Sequence, residues 1–197
     1  MLMKFYHNEL TFEVPKSVYY PREDSLLLAK TIEKTNLKSK AVLEVGCGCG
    51  FLSVLMAKSG ATVSAVDINP EAVEITKANA DANGAVLNAI NSDLFSNVRG
   101  TFDLIVFNPP YLPVEEGEHD AAYAGGPTGR EVIGKFIAQV KSHLRLNGYV
   151  LVLISSLTGE KEVIKLFNKE KMSATAVARE KVPWEELIVI RAGLLLS

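Results

Sequence analysis

The chain has 197 residues, of which 48% are hydrophobic and 22% charged, with a formal net charge of −2 at pH 7. This length suits one globular domain, and the composition excludes a disordered chain. No stretch approaches the ~20 apolar residues that cross a bilayer, and the first residues lack the pattern of a signal peptide. We therefore expect a soluble cytoplasmic protein without the basic face of a duplex-binding protein.

The hydrophobic pattern predicts strands and helices that alternate after a short strand at 9–14 and a helix at 24–35. Further strands are predicted at 41–45, 62–66, 85–90, 102–107 and 149–154, and helices at 50–58, 70–83, 129–144 and 160–169. Asn147 and Gly148 should stop the helix at 129–144. Two closing strands, at 173–182 and 184–192, should form an antiparallel hairpin. Such alternation requires a mostly parallel sheet with right-handed crossovers. We predict one Rossmann-like domain over 1–197, with seven strands and the antiparallel hairpin at its C-terminus.

A glycine-rich loop follows the strand at 41–45. Its glycines, Gly46, Gly48 and Gly50, turn the strand into a helix and let a ligand lie against bare main chain. Because the spacing is G-x-G-x-G and residue 51 is Phe, the dinucleotide fingerprint G-x-G-x-x-G is absent. The two cysteines in the loop are too close for a disulfide and too few for a zinc site, so we interpret them as small loop residues.

Acidic residues near the ends of the strands at 41–45, 62–66 and 85–90 complete the pattern of a cofactor site. Asp67 comes 21 residues after the first loop glycine, where a carboxylate can accept hydrogen bonds from both hydroxyls of a ribose. Ile68 would cover one face of a purine, and Asp93 and Leu94 would contact adenine. Glu44 suits a ligand with a cationic tail, by an indirect contact. The set favours S-adenosyl-L-methionine over a nicotinamide dinucleotide, with S-adenosyl-L-homocysteine as product and no metal.

The sequence Asn-Pro-Pro-Tyr follows the strand at 102–107 directly. An amide or aromatic amine nitrogen is a poor nucleophile because its lone pair is delocalised. The Asn108 side-chain oxygen and the Pro109 carbonyl can accept from its two N–H groups and aim the lone pair at a sulfonium methyl. Pro110 stiffens these acceptors, and Tyr111 can stack on the flat group. Orientation then supplies most of the catalysis. We predict an amino-methyltransferase of class I fold, with Asn108 also touching the cofactor.

Four segments are distinctive: residues 18–25 (VYYPREDS), 67–70 (DINP), 102–113 (FDLIVFNPPYLP) and 124–131 (AGGPTGRE). Together they closely resemble the HemK family, and more narrowly its short archaeal and eukaryotic branch, since only 20 residues precede Pro21. The resemblance implies methyl transfer to the glutamine side-chain amide in the Gly-Gly-Gln motif of class I translation release factors.

The same resemblance implies further roles. Residues 1–35 would cap the cofactor site. Pro21, Arg22, Glu23 and Asp24 would close over the cofactor, with Asp24 or Glu23 near its amino-acid portion, and Tyr20 would also contact it. An acidic first helical turn and simple packing of Tyr20 are compatible readings of the same residues. Residues 126–129 would shape the substrate mouth. A small zinc-binding activator protein would extend the sheet at an edge strand, 86–90, which has few charges to prevent pairing. A homodimer contact or the loop after Asn91 could cover that edge instead.

Other functions stay open at this point. An adenine or guanine amino-methyltransferase acting on DNA or RNA could use the same motif on a flipped base. The net charge of −2 and the acidic loop at 115–120 argue against it, because both would repel phosphates. That loop would suit a basic peptide, or is simply a solvated segment. A non-catalytic scaffold would not need both motifs intact, and a lysine acceptor would need a base that the sequence does not offer.

Overall fold

The computed structural model describes residues 2–112 and 126–195. The chain divides into two compact units, with the boundary between Arg99 and Gly100. The prediction of a single domain over 1–197 is not tested by this division and stays a prediction. The acidic loop at 115–120 lies outside the described residues. Within the described part of the chain, no helix is long and apolar enough to cross a membrane.

The first unit starts with a hairpin and continues with alternating strands and helices. Its elements are β1 (Leu2–His7), β2 (Leu10–Pro15), α1 (Glu23–Glu33), β3 (Ala41–Val45), α2 (Phe51–Lys58), β4 (Thr62–Asp67), α3 (Pro70–Ala82) and β5 (Leu87–Asn91). β1 and β2 are antiparallel, whereas β3, β4 and β5 are parallel in the order β5-β4-β3. β5 ends this order, so it is the edge strand that the sequence predicted at 86–90.

The hairpin is held on the rest of the first unit by aromatic packing and by two asparagines, one in α3 and one directly after it. The ring of Phe51 lies 4.9 Å from that of Phe5 on β1. Asn79, which is buried, accepts a hydrogen bond from the Glu13 N–H (2.9 Å) and donates to the Glu13 carbonyl (2.9 Å). One turn later, Asn83 forms the same pair of bonds with Thr11. Both side-chain amides therefore pair with β2 as a neighbouring strand would.

The second unit contains the remaining strands. Its elements are β6 (Phe102–Phe107), α4 (Glu131–Val140), a 3₁₀ turn (Lys141–His143), β7 (Leu144–Ser155), α5 (Glu160–Lys169), β8 (Met172–Val182) and β9 (Glu185–Leu194). β6 and β7 are parallel, and β9 is antiparallel to both β7 and β8. Counted over the described residues, β3 to β9 are the seven strands of the predicted, mostly parallel sheet. The fold-class prediction and the predicted closing hairpin are confirmed.

The turn of that closing hairpin contains the sole tryptophan of the chain. Trp184 follows Pro183 between β8 and β9 and adopts a left-handed backbone conformation, with φ 77°. Its side chain is 97% exposed, although tryptophan usually buries most of its surface. The hairpin therefore ends in a large apolar side chain that lies in solvent.

The predicted boundary between α4 and β7 was wrong. We expected the helix to continue to residue 144 and to stop at Asn147 and Gly148, but α4 ends at Val140 and both residues lie inside β7. The pairing of β6 with β7 shifts register between Phe102 and Leu104, and Asn147 has φ 68° there. A Cβ on Gly148 would come within 2.8 Å of the Phe102 carbonyl oxygen. Asn147 and Gly148 thus form an irregularity inside a strand. The prediction failed because such an irregularity favours the same residue types as the end of a helix.

Candidate active site

The loop after β3 has the left-handed backbone that its glycines predict. The φ angles are 68° at Gly46, 54° at Gly48 and 81° at Gly50. A Cβ added at Gly50 would lie 3.1 Å from the Cα and 2.9 Å from the methyl carbon of Thr76, so a side chain does not fit. A Cβ at Gly48 would meet one atom within 4 Å, in Val18 at 3.9 Å. Gly48 therefore leaves bare main chain that a ligand can approach.

Asp67 at the end of β4 is tied directly to this loop. Its Oδ2 accepts from the Gly48 N–H and its Oδ1 from the Asn69 N–H, both at 2.9 Å. Burial raises the pKa of Asp67 above its ordinary value, and the backbone N–H groups oppose that rise. Each carboxylate oxygen has a second lone pair, so the group can still accept from a ribose diol. The adjacent Ile68 is 66% exposed and offers an apolar surface beside this carboxylate.

Glu44 and the segment after β5 differ in exposure. Glu44 is buried and accepts a hydrogen bond from the Ser53 hydroxyl, and burial raises its pKa to about 8. The indirect contact of Glu44 with a cofactor stays a prediction. Asp93 is exposed, and Leu94 has a φ of 46° that a hydrogen bond from the Ser92 hydroxyl to its carbonyl (2.9 Å) supports.

The segment before α1 is held by bonds to the first turn of α1 and to β1. The Tyr20 hydroxyl donates to the Lys4 carbonyl (3.1 Å), and its ring packs edge-on against Phe5, which agrees with the packing role left open above. Asp24 is buried and accepts from the Tyr19 hydroxyl at 2.7 Å. Pro21 is buried and Arg22, which precedes α1, is exposed. Whether this segment closes over a cofactor stays a prediction.

The Asn-Pro-Pro-Tyr segment begins in the second unit directly after β6. Asn108, Pro110 and Tyr111 are partly exposed and Pro109 is buried. The Tyr111 carbonyl accepts a hydrogen bond of 3.1 Å from the hydroxyl of Thr158, which lies in the turn between β7 and α5. Sequence reasoning missed Thr158, because a threonine in a strand-to-helix turn is unremarkable without this contact.

The segment that we expected to shape the substrate mouth lies just before α4. The carboxylate of Glu131 holds residues 126–129 in a turn. It accepts hydrogen bonds from the Thr128 hydroxyl (2.9 Å) and from the Arg130 N–H (3.1 Å). A Cβ at Gly126 would lie 2.6 Å from that carboxylate. The loop therefore has a defined shape next to Arg130, whose guanidinium donates to the Thr158 carbonyl at 2.5 Å.

Comparisons with known proteins agree with the motifs. The family model of the methyltransferase small domain matches residues 22–181. A putative protein N5-glutamine methyltransferase of Methanocaldococcus jannaschii is 46% identical in an alignment that covers 90% of this chain and 92% of that protein. The human Methyltransferase HEMK2 is 32% identical in an alignment that covers 88% of each chain. A release factor glutamine methyltransferase of Lactococcus lactis is 30% identical, in an alignment that covers 77% of this chain and 61% of that protein.

Solved structures give the same result. The E. cuniculi Mtq2–Trm112 complex, responsible for methylation of the eRF1 translation termination factor, contains a chain that matches with a TM-score of 0.76 and 26% identity. The match covers 91% of this chain and 99% of that one. A ribosomal protein L11 methylase of Lactobacillus delbrueckii, at 24% identity and a TM-score of 0.68 over 90% of this chain and 82% of its own, shows the fold alone. The chain therefore belongs to the methyltransferase small domain family and, within it, to the HemK family that its motifs resemble.

Proposed function

We propose that this methyltransferase transfers a methyl group from S-adenosyl-L-methionine to the side-chain amide nitrogen of the glutamine in the Gly-Gly-Gln motif of a class I translation release factor, in the cytoplasm. The observation that carries the proposal is an Asn-Pro-Pro-Tyr segment at the end of β6 in a chain 46% identical, over 90% of its length, to an N5-glutamine methyltransferase. Relatives named for release factors support the acceptor. Both units would act as one domain over 1–197.

The residues of the first unit fit the cofactor. S-adenosyl-L-methionine would supply an electrophilic methyl group and leave as S-adenosyl-L-homocysteine. The bare main chain at Gly48 gives room for a ligand, and Asp67 keeps lone pairs for the ribose hydroxyls. The exposed Ile68 side chain would cover the purine, and the exposed Asp93 would accept from its amine. The remaining proposed contacts are Tyr20, Pro21, Arg22, Asp24, Glu44, Gly46, Gly50, Leu94 and Asn108.

The second unit would supply the acceptors for the glutamine amide. The Asn108 side-chain oxygen and the Pro109 carbonyl would each accept from one N–H of the amide, which localises the nitrogen lone pair and directs it at the methyl carbon. Tyr111 would lie against the flat amide. Fixed acceptors of this kind act through orientation, and a misplacement of about 1 Å can cost about a hundredfold in rate. As the N–methyl bond formed and the sulfur–methyl bond broke, the nitrogen would release one proton to water.

Methyl transfer from radiolabelled S-adenosyl-L-methionine to a purified class I release factor tests the proposal. Duplex DNA and ribosomal RNA are assayed in parallel, because they are the acceptors of the alternative function. We expect label on the factor, lost when the Gly-Gly-Gln glutamine is replaced by alanine. Label on nucleic acid alone would refute the acceptor and leave the family assignment intact.

Two variants separate the proposed roles of the two units. Asn108→Ala should abolish transfer and leave cofactor affinity nearly unchanged, because its side chain is assigned to the acceptor amide and it is only one of many proposed contacts with the cofactor. Asp67→Ala should raise the dissociation constant of the cofactor, because the variant loses the ribose acceptors and the bond to Gly48. Isothermal titration with the cofactor and initial rates decide between them. A large loss of cofactor affinity in Asn108→Ala, with turnover kept at saturation, would contradict its assignment.

We also propose that a small activator protein binds along β5; that it binds zinc is implied by the HemK resemblance. β5 ends the strand order of its sheet, Asn88 on it is exposed, and Val86 just before it is 90% exposed. The Mtq2 structure, which is a complex with Trm112, supports a partner of this kind. Asn88→Lys should prevent complex formation, because lysine on an edge strand opposes pairing. Light scattering with and without the activator would reveal a homodimer instead.

A further inference from the structure

We propose that Thr158 is a positioning residue for methyl transfer, whose hydroxyl fixes the Asn-Pro-Pro-Tyr segment through the carbonyl of Tyr111. The inference rests on the proposed function, since that function makes Asn108 and Pro109 the acceptors for the amide. Thr158 is fully buried and lies 47 residues from Tyr111 along the chain, in the turn between β7 and α5. A buried hydroxyl that contacts the candidate catalytic segment is the unusual feature of this turn.

The donor and acceptor roles of the Thr158 hydroxyl are fixed by the chemistry of its two partners. Thr158 Oγ1 accepts from the Ser155 N–H at 3.2 Å and lies 3.1 Å from the Tyr111 carbonyl oxygen. A hydroxyl has one proton to donate, and a carbonyl oxygen can only accept. The hydroxyl proton therefore goes to Tyr111, and no rotation of the hydroxyl satisfies both partners in another way.

The frame around Thr158 is tightly held. Ser155 ends β7, which is paired on both sides by β6 and β9, and its carbonyl accepts from the Thr158 N–H at 3.0 Å. The Thr158 carbonyl accepts from the Arg130 guanidinium at 2.5 Å. A Cβ at Gly159 would lie 2.7 Å from the Glu162 carboxylate and 3.4 Å from this guanidinium, so the glycine leaves room for both side chains. Thr158 thus connects the catalytic segment to the centre of the second unit.

The catalytic segment needs such an external anchor because of its own composition. Pro109 and Pro110 have no N–H groups, so two consecutive residues cannot donate to neighbouring backbone. The Pro109 carbonyl is assigned to the acceptor amide. The Pro110 carbonyl and the Tyr111 N–H come next along the main chain, and the Tyr111 carbonyl after them accepts from Thr158. A bond at this point limits how far Pro109 can move while the prolines keep the segment stiff.

A set of three variants tests the role. Thr158→Val replaces the hydroxyl with a methyl group of similar size, Thr158→Ser keeps the hydroxyl, and Ser155→Ala is the matched control. The control removes the acceptor of the Leu157 N–H (3.0 Å) in the same turn and keeps the bond to Tyr111. We expect Thr158→Val to lower kcat by about 10- to 100-fold with an unchanged dissociation constant for S-adenosyl-L-methionine. Thr158→Ser should restore most of the rate.

Equal losses of kcat in Thr158→Val and Ser155→Ala would overturn the inference, because both would then report only a weakened turn. Unchanged kcat in Thr158→Val would overturn it as well. Should that variant fail to fold, Arg130→Met, which removes the bond to the Thr158 carbonyl, must lower kcat in the same direction or the inference is wrong. These outcomes are read against wild-type transfer to the release factor.

Amide hydrogen exchange provides a readout that does not need an acceptor. Thr158→Val should speed exchange at the Tyr111 and Leu112 amides relative to the wild type, and Ser155→Ala should not. Wild-type protein that leaves the release factor unlabelled would refute the proposed function, and the exchange rates would then still decide whether Thr158 anchors the segment. Exchange that is the same in both variants and the wild type refutes the anchor itself.

Discussion

Gly50 offers a sharp test of how the cofactor loop is built. Its φ is +81°, and an added Cβ would lie 3.1 Å from the Cα of Thr76 on α3. That atom is main chain and cannot rotate away as a side chain could. Gly84 is a matched control, since its φ is +61° and an added Cβ would meet nothing within 4 Å. Gly50→Ala and Gly84→Ala therefore share the backbone strain and differ in the clash.

The expected magnitudes follow from these contacts. A residue with a Cβ in the left-handed region costs about 1–2 kcal/mol in the free energy of unfolding, which applies to both variants. Overpacking adds about 1–3 kcal/mol, which applies to Gly50→Ala alone. For a domain of this size, 1 kcal/mol shifts Tm by about 2–4 °C. Gly50→Ala should therefore melt about 2–12 °C below Gly84→Ala.

Thermal unfolding followed by far-ultraviolet circular dichroism, with and without S-adenosyl-L-methionine, measures both parts of the argument. A ligand at 100 times its dissociation constant stabilises the folded state by about 2.7 kcal/mol. We expect this increment to persist in Gly84→Ala and to shrink in Gly50→Ala, whose loop must shift. Equal Tm values for the two variants would refute the steric argument. If S-adenosyl-L-methionine stabilised Gly50→Ala as much as Gly84→Ala, the shape of the loop would not matter for cofactor binding.

Three further predictions concern buried polar groups. The pKa of Glu44 is about 8 in the folded protein against a reference value of 4.5, so the unfolded chain loses this proton first and stability should fall as pH rises from about 4.5 to about 8. Glu44→Gln should flatten that slope in urea titrations, and an unchanged slope would place the titrating group elsewhere. Asn79→Ala leaves the Glu13 N–H and the carbonyls of Glu13 and Cys49 without their partner. It should lower the free energy of unfolding by about 2–4 kcal/mol, more than Asn83→Ala does at its more exposed site. Equal urea midpoints for the two variants would contradict this. Burial raises the pKa of both thiols, Cys47 and Cys49, so a thiol reagent should react slowly with native protein and with two thiols after unfolding, whereas fast native labelling would show that the loop opens.

Elements with strong hydrophobic patterns could be predicted from the sequence. β6 is almost continuously apolar and buried, and α5 spans the predicted residues 160–169. β1 was not predicted, because only Phe5 of its side chains is buried and the alternation is weak. The pair at Asn147 and Gly148 misled the prediction, because a strand irregularity and a helix end both call for residues that tolerate positive φ.

The candidate site was predictable where chemistry restricts residue type at one position. Gly50 must be glycine for steric reasons, and Asp67 falls at a strand end beside that loop. Thr158 lacks such a signal, because its role comes from a contact with a residue 47 positions away. A contact between residues so far apart in the chain depends on the order of the strands in the sheet, and local sequence patterns do not specify that order.

The exposed Trp184 determines which spectroscopic methods suit this protein. Indole emission reports hydration, and the chain has one tryptophan that is 97% in water already in the folded state. Unfolding should therefore change the indole emission little, and melting curves followed by fluorescence would hardly detect the transition. A protein that covered the tip of the β8–β9 hairpin would move the indole out of water and shift its emission to shorter wavelength. The chain thus contains its own optical label for contacts at that hairpin, with no dye to attach.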